Sequence, residues 1–283
     1  MSPAQAIQTI RPAVVQIRIK ASSFPSDVHS PEETEFAEIP FGTGFLVGSG
    51  AHVVTALHVI RAAEAKLASL RAGRKVIFVG LALPNSETIR AFFVLVQFDI
   101  VGIDEAHDLA LLKLRQNPFK GEVRSGFRVG NDEVQLPVAS ASLGVRKPEE
   151  GLAIAISGYP LGQAVLVTKA GWMASSWAYK IGPPTTSEEP PWFRPPSFVD
   201  FYLADVTANP GNSGGPVYSI EDGTVIGLCQ GTLPTLVLDQ QHEPVVADGR
   251  YLLYSSGLTA VIPVEYIWAL LTKHSISFPA PSQ

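Results

Sequence analysis

The strongest constraint on this chain is the shortness of its apolar runs. They come in strand lengths, each stopped by Gly, Pro, Asp or Asn: AVVQIRI (13–19), GTGFLVG (42–48), HVVTAL (52–57), KVIFVG (75–80), AFFVLVQFDIVG (91–102) and LALLKL (109–114). The series continues with LAIAISGY (152–159), AVLVTKAGW (164–172), FYLADV (201–206), GPVYSI (215–220), TVIGLCQG (224–231) and LTAVIPV (258–264). The twelve fall six and six about the segment near 115–135, while helical patterning is confined to 3–10, 60–73 and 264–274. Many short strands with few helices predict an all-β fold of barrels or sandwiches and argue against a parallel sheet wrapped by helices.

The 283 residues suffice for one large domain or two ordinary ones, and 46% hydrophobic with 17% charged residues is a globular composition. A net charge of -5 argues against a polyanion-binding surface, so nucleic acid is not an expected partner. No apolar run is long enough to span a bilayer, and the N-terminus lacks the basic start and apolar block of a signal peptide. The single cysteine, Cys229, allows no internal disulfide. A reducing compartment fits these features, so the expected location is the cytoplasm, with secretion of a trimmed form left open. The segment KIGPPTTSEEPPWFRPP (180–196), with six prolines around Trp192 and Phe193, cannot form a ladder and is read as a long surface loop. It is either a variable insertion or a place where an activating protein docks.

Within this pattern one stretch carries chemistry: ANPGNSGGPV, 208–217. Gly211 to Gly215 satisfy G-x-S-x-G, the elbow of α/β-hydrolases, so an esterase is one candidate. That elbow needs a helix straight after the serine, whereas Ser213 is followed by Pro216 and strand-like residues. The other order is histidine, acid, serine. His58 follows the apolar run HVVTAL and is expected at the end of a strand, a rigid mount for a base, although a packed core histidine would look the same. His29 and His242 lie in polar stretches, His274 near the end, His52 on the entering side of its strand, and His107 is expected to point away from its neighbour Asp108. Asp108 stands before the apolar run LALLKL, with Asp104 and Glu105 filling the turn ahead of it. A carboxylate there is either a turn former or an acid with a partner.

GTGFLV, VVTALHVI, DLALLKL and NPGNSGGPV together resemble the trypsin-like serine proteases, most closely the bacterial HtrA/Deg branch, over roughly residues 5–272. The resemblance implies two perpendicular six-stranded antiparallel barrels, 1–120 and 121–283, with a peptide-cleaving site in the cleft and neither metal nor cofactor. It makes Ser213 the nucleophile, His58 the base and Asp108 the orienting carboxylate, with the N–H groups of Gly211 and Ser213 as the oxyanion hole. Gly227, Leu228, Cys229, Gln230, Gly231 and Thr232 would pair with the substrate and wall its pocket, and Gly257 would leave another wall open. Thr207, six before the serine, would lie at the pocket base. An uncharged base argues for a small or medium apolar residue before the scissile bond. Leu57 stands where many digestive members carry alanine, and no PDZ domain or zymogen activation site is expected. A catalytically silent peptide-binding module with the same barrels is the competing assignment.

Overall fold

In a computed structural model the described residues are 1–22, 36–70, 75–82, 93–117, 128–129, 132–133, 140–176 and 200–277. The chain opens with α1 (Pro3–Ile10), capped by the Ser2 hydroxyl and the reciprocal Gln5 side chain. Seven strands follow: β1 (Val14–Ser22), β2 (Phe36–Val47), β3 (His52–Ala56), β4 (Lys75–Ala82), β5 (Phe93–Val96), β6 (Phe98–Asp104) and β7 (Leu109–Leu114), with α2 (Leu57–Ser69) after β3. They hydrogen-bond in the order β5-β4-β1-β2-β3-β7-β6. The edge strands β5 and β6 are consecutive in the chain with only Gln97 between them, so the sheet must curl until its two edges meet. The single expected strand 91–102 is therefore one strand broken at Gln97 that closes the first barrel through the chain, which is why six expected strands appear as seven.

Two minor strands, β8 (Arg128–Val129) and β9 (Asp132–Glu133), pair with each other. The second barrel is closed: β10 (Ala153–Gly158), β11 (Val167–Ser175), β12 (Tyr202–Asp205), β13 (Pro216–Ser219), β14 (Val225–Leu236) and β17 (Leu253–Pro263), in the order β10-β11-β12-β17-β14-β13. β15 (Val246–Ala247) and β16 (Arg250–Tyr251) form a small ribbon at the tip of the β14–β17 hairpin, and α3 (Val264–Lys273) follows. The fold is thus all-β with two barrels and few helices, as the sequence leads one to expect. The expected division near residue 120 and the proline-rich 180–196 both lie outside the described residues.

The interior does not divide as the strands do. One buried cluster joins Ile17, Phe45, Val54 and Leu111 of the first sheet to Ala155, Tyr218, Leu228 and Ile262 of the second. α3 turns Val264, Ile267, Leu270 and Leu271 into the same cluster, at the spacing of one helix face. A second cluster fills the closed barrel with Ile154, Ile156, Met173, Ala204, Val217, Cys229 and Val261. The junction is thus held by packing over a broad face, which gives residues on its two sides a fixed relation.

Candidate active site

β3 stops at Ala56 because α2 starts there. His58 is the second residue of that helix, and not the last of a strand as expected. A helix start exposes free N–H groups, and Ala56 at the cap offers no side-chain acceptor. Asp108 supplies the acceptors from the turn before β7. Its carbonyl accepts from Leu57 N–H (2.8 Å) and its Oδ1 from His58 N–H (2.8 Å). Its other oxygen, Oδ2, lies 2.5 Å from His58 Nδ1. A carboxylate only accepts, so Nδ1 carries the proton and Nε2 is left as the basic nitrogen. The side chain of Asp108 is 13% exposed and that of His58 43%, which shields the acid and leaves the imidazole open to a reactant. Asp108 adopts φ 53, a conformation Asp tolerates better than most residues, so the turn aims it at the cost of some strain. Leu57 is buried in the shared core.

The neighbouring His107 is occupied elsewhere. Its Nδ1 is 2.7 Å from Asp104 Oδ2, and its ring stacks on Tyr266 at 3.5 Å between centroids. Glu105 pairs with Arg61 at 2.5 Å, so both acids of that turn have partners of their own. His52 is held below its ordinary pKa by burial and then by Lys113. His242 and His274 lie beyond α2 and β3 on other elements, and His29 is outside the described residues.

The serine loop, 208–215, enters from the second barrel and is fastened by the first. Thr43, fully buried on β2, donates its hydroxyl to Gly211 O (2.6 Å) and accepts from Tyr159 N–H (3.0 Å). Its backbone N–H donates to Ser213 O (2.9 Å), and its carbonyl accepts from Thr55 Oγ1 (2.6 Å). Gly214 (φ 84) fits because a Cβ there would stand 2.1 Å from Thr43 O and 3.0 Å from Ala56 N. The serine loop therefore lies against Ala56, the residue that precedes α2. Gly211 has φ 101, and a Cβ on it would come 2.4 Å from Tyr159 O, so only glycine leaves this turn intact. Among the described residues, neither Gly211 N–H nor Ser213 N–H donates to another protein group.

Ser213 Oγ donates to Gln230 O (2.9 Å) on β14, so its proton is directed at a backbone carbonyl and not at His58. Gln230, Gly231 and Thr232 are half-exposed at the barrel mouth, next to this hydroxyl. Gly227, Leu228 and Cys229 are buried in the strand behind them. Cys229 braces the serine loop through its backbone, with its carbonyl accepting from Gly214 N–H (2.8 Å) and its N–H donating to Gly215 O (2.8 Å). Burial pushes its thiol up to about 12. Gly257 sits in the bulge of β17 between the Thr232–Thr259 and Pro234–Ser255 pairs. Thr207 lies below the serine loop, and its carbonyl accepts from Lys169 Nζ at 3.0 Å. Thr43 and Lys169 are the two residues that motif matching passed over. The glycine–threonine–glycine run 42–44 was a visible signal for the first, while nothing local marks the second.

A closed barrel lies beside a curled one, and the serine loop of the closed barrel is fastened to β2 of the curled one next to the start of α2, the arrangement of a two-barrel fold. The chain belongs to the trypsin-like peptidase domain family, whose model matches residues 42–228. The chain is similar to three relatives each named a probable periplasmic serine endoprotease, DegP-like. The one from Chlamydia muridarum is 25% identical over 233 residues, covering 77% of this chain and 36% of the relative. That from Chlamydia pneumoniae is 26% identical over 248 residues (83% and 40%), and that from Hahella chejuensis 28% over 187 residues (66% and 29%). The chain thus spans two fifths or less of the length of these relatives. An HtrA-type protease, AlgW with a decapeptide, shares the fold at a TM-score of 0.60 and 20% identity, covering 98% of this chain and 67% of that one.

The periplasmic relatives overturn the cytoplasmic expectation. Its physical basis was weak, because one cysteine sealed in a barrel meets no oxidant and records no redox compartment. The α/β-hydrolase alternative is also overturned, since the serine loop runs into β13 and not into a helix. Among the described residues no helix is long and apolar enough to cross a membrane, and no cluster of His, Cys, Asp and Glu has the form of a metal site.

Proposed function

We propose that this protein is a periplasmic serine endopeptidase that uses Ser213, His58 and Asp108. The observation that carries the proposal is the shielded Asp108 carboxylate on His58 Nδ1, which leaves Nε2 as the basic nitrogen, on a helix whose start the glycine-shaped serine loop approaches at Ala56. Ser213 Oγ attacks the scissile carbonyl carbon while Nε2 takes its proton, and the carbonyl π electrons move onto oxygen. Gly211 and Ser213 N–H groups receive that charge, an interaction worth about 10²- to 10³-fold in turnover per donor. Collapse expels the amine, protonated by His58, and leaves an acyl-serine that water hydrolyses by the same proton path. The half-exposed edge of β14 pairs with the substrate backbone, and the Thr207 base, with no acid in its own side chain, disfavours Lys and Arg before the scissile bond.

The hydroxyl on Gln230 O favours a second state, in which the protein binds peptide before it can cut. Chemistry then requires Oγ to leave that carbonyl for Nε2, and occupation of β14 by peptide or an activator acting through 180–196 supplies the trigger. Labelling with a fluorophosphonate probe separates the cases. Modification of Ser213, lost in Ser213→Ala, is the expected result. Folded protein that stays unlabelled with and without saturating peptide would overturn the endopeptidase and leave a binding module.

A further inference from the structure

The second barrel carries a cation whose place the serine protease motifs do not explain. Ile156 of β10 is fully buried, and Lys169 of β11 stands directly opposite it. Directly paired residues of an antiparallel sheet share a face, as do residues two apart on a strand. Lys169, Gly171 and Met173 therefore line the interior, while Ala170 and Trp172 face out. The exposures agree, at 1% for Met173 and 57% for Trp172. At Gly171 a Cβ would stand 2.1 Å from Asp205 O, so β11 presses against the chain that leads from β12 to Thr207. One inward step nearer the serine loop, Lys169 Nζ donates to Thr207 O at 3.0 Å.

The floor this cation reaches is firmly built. Ala208 N–H donates to Thr259 Oγ1 (3.1 Å), Thr259 Oγ1 to Val206 O, and Thr232 Oγ1 to Ala208 O. Residues 206–208 are thus stapled to β17 and to β14, the strand whose Gln230 O receives the Ser213 hydroxyl. An ammonium has three N–H donors, and Thr207 O takes one of them. Among the described residues no carboxylate forms an ion pair with Lys169. A half-buried cation without a counter-charge has lost hydration that an arriving anion restores.

We infer that Lys169 is a specificity-determining residue, and that the protein cleaves after acidic residues, with the substrate carboxylate received by the Lys169 ammonium. This rests on the endopeptidase reading above, and it replaces the small or medium apolar preference expected from Thr207 alone. The Thr207 side chain is uncharged, but its backbone holds a charge brought by another strand.

The test compares fluorogenic peptides that differ only in the residue before the scissile bond: Glu, its neutral isostere Gln, and Val. Wild type is expected to favour Glu over Gln by about 10- to 100-fold in kcat/KM, the scale of one hydrogen bond to a charged group. Lys169→Met keeps the apolar stem and removes the charge, and should bring that ratio to about one, while Lys169→Arg should restore part of it. A merely structural lysine would lower all three peptides together and leave the ratio unchanged. Val preferred by wild type, or an unaltered ratio in Lys169→Met, overturns the inference. Binding to Ser213→Ala of peptides ending in Glu or Gln, read by fluorescence anisotropy, decides the same point without turnover. A Glu preference lost with Lys169→Met upholds the pocket even if no peptide is cut, and equal binding refutes it.

Discussion

Thr43 connects the barrels with a single hydroxyl that both donates and accepts. Replacing it by valine keeps the shape and leaves Gly211 O and Tyr159 N–H without their partner in a buried place. Each orphaned group costs about 1–3 kcal/mol, so Thr43→Val should lower the urea midpoint visibly while the fold persists. Its larger effect should be on turnover. The Gly211 peptide is aimed by that hydroxyl, and a tilted oxyanion donor lowers kcat with KM little changed, by about 10-fold or more. A variant that loses stability and keeps kcat would show that Thr43 only joins the barrels. Gly214→Ala should be harsher, because both the positive φ and the 2.1 Å approach to Thr43 O resist a methyl group. Little folded protein is expected from it, as measured by soluble yield and circular dichroism.

At the scale of elements, α2 begins with a borrowed cap. Asp108 serves the helix with Oδ1 and the imidazole with Oδ2, so two substitutions separate the tasks. Asp108→Asn keeps an acceptor for the helix but presents an amide to His58, which favours the wrong tautomer. A kcat loss of about 10⁴-fold with a small change in melting temperature is expected. Asp108→Ala removes the cap as well and should cost about 1 kcal/mol more in stability. Equal kcat for Asp108→Asn and wild type would remove Asp108 from the chemistry. The start of α2 also shows where the sequence stops being readable. HVVTALHVI is apolar at both strand and helix periods, so local pattern could not place the break at Ala56, which depends on an acceptor fifty residues away. The break at Gln97 is hidden for a similar reason, because AFFVLVQFDIVG has no turn residue where closure of the barrel divides it. Strands bounded by Gly and Pro, such as β10 and β13, were legible because their limits are local. The three residues of the proposed triad are legible as an ordered set of motifs. Lys169 was not, since its meaning comes from the β10–β11 register and no neighbour in sequence announces it.

At the scale of the whole molecule, the shared core and the buried acids together predict how the fold fails in alkali. Cys229 is pushed up to about 12 by burial alone, and Tyr266 up to about 12 by burial and by its hydrogen bond to Asp200. Burial also raises Tyr159, Tyr202 and Tyr218. Each group keeps its proton longer folded than unfolded. Their contribution is complete below the unfolded thiol pKa, about 8.5, and is lost as pH rises toward the folded values. The urea midpoint should therefore hold to about pH 8.5 and fall steadily above it. Cys229 lies in the closed barrel and Tyr266 on α3 beside the first, yet one apolar cluster joins the two sides. Both barrels should unfold in a single transition at every pH, with fluorescence and circular dichroism midpoints coincident. Cys229→Ala should start from a lower midpoint at pH 7, because a small cavity replaces the thiol, and then lose less than wild type between pH 8.5 and 10.5. Two separated transitions would mean that the junction is weaker than its packing, and a midpoint flat to pH 10.5 would mean that these groups reach water before the barrels open.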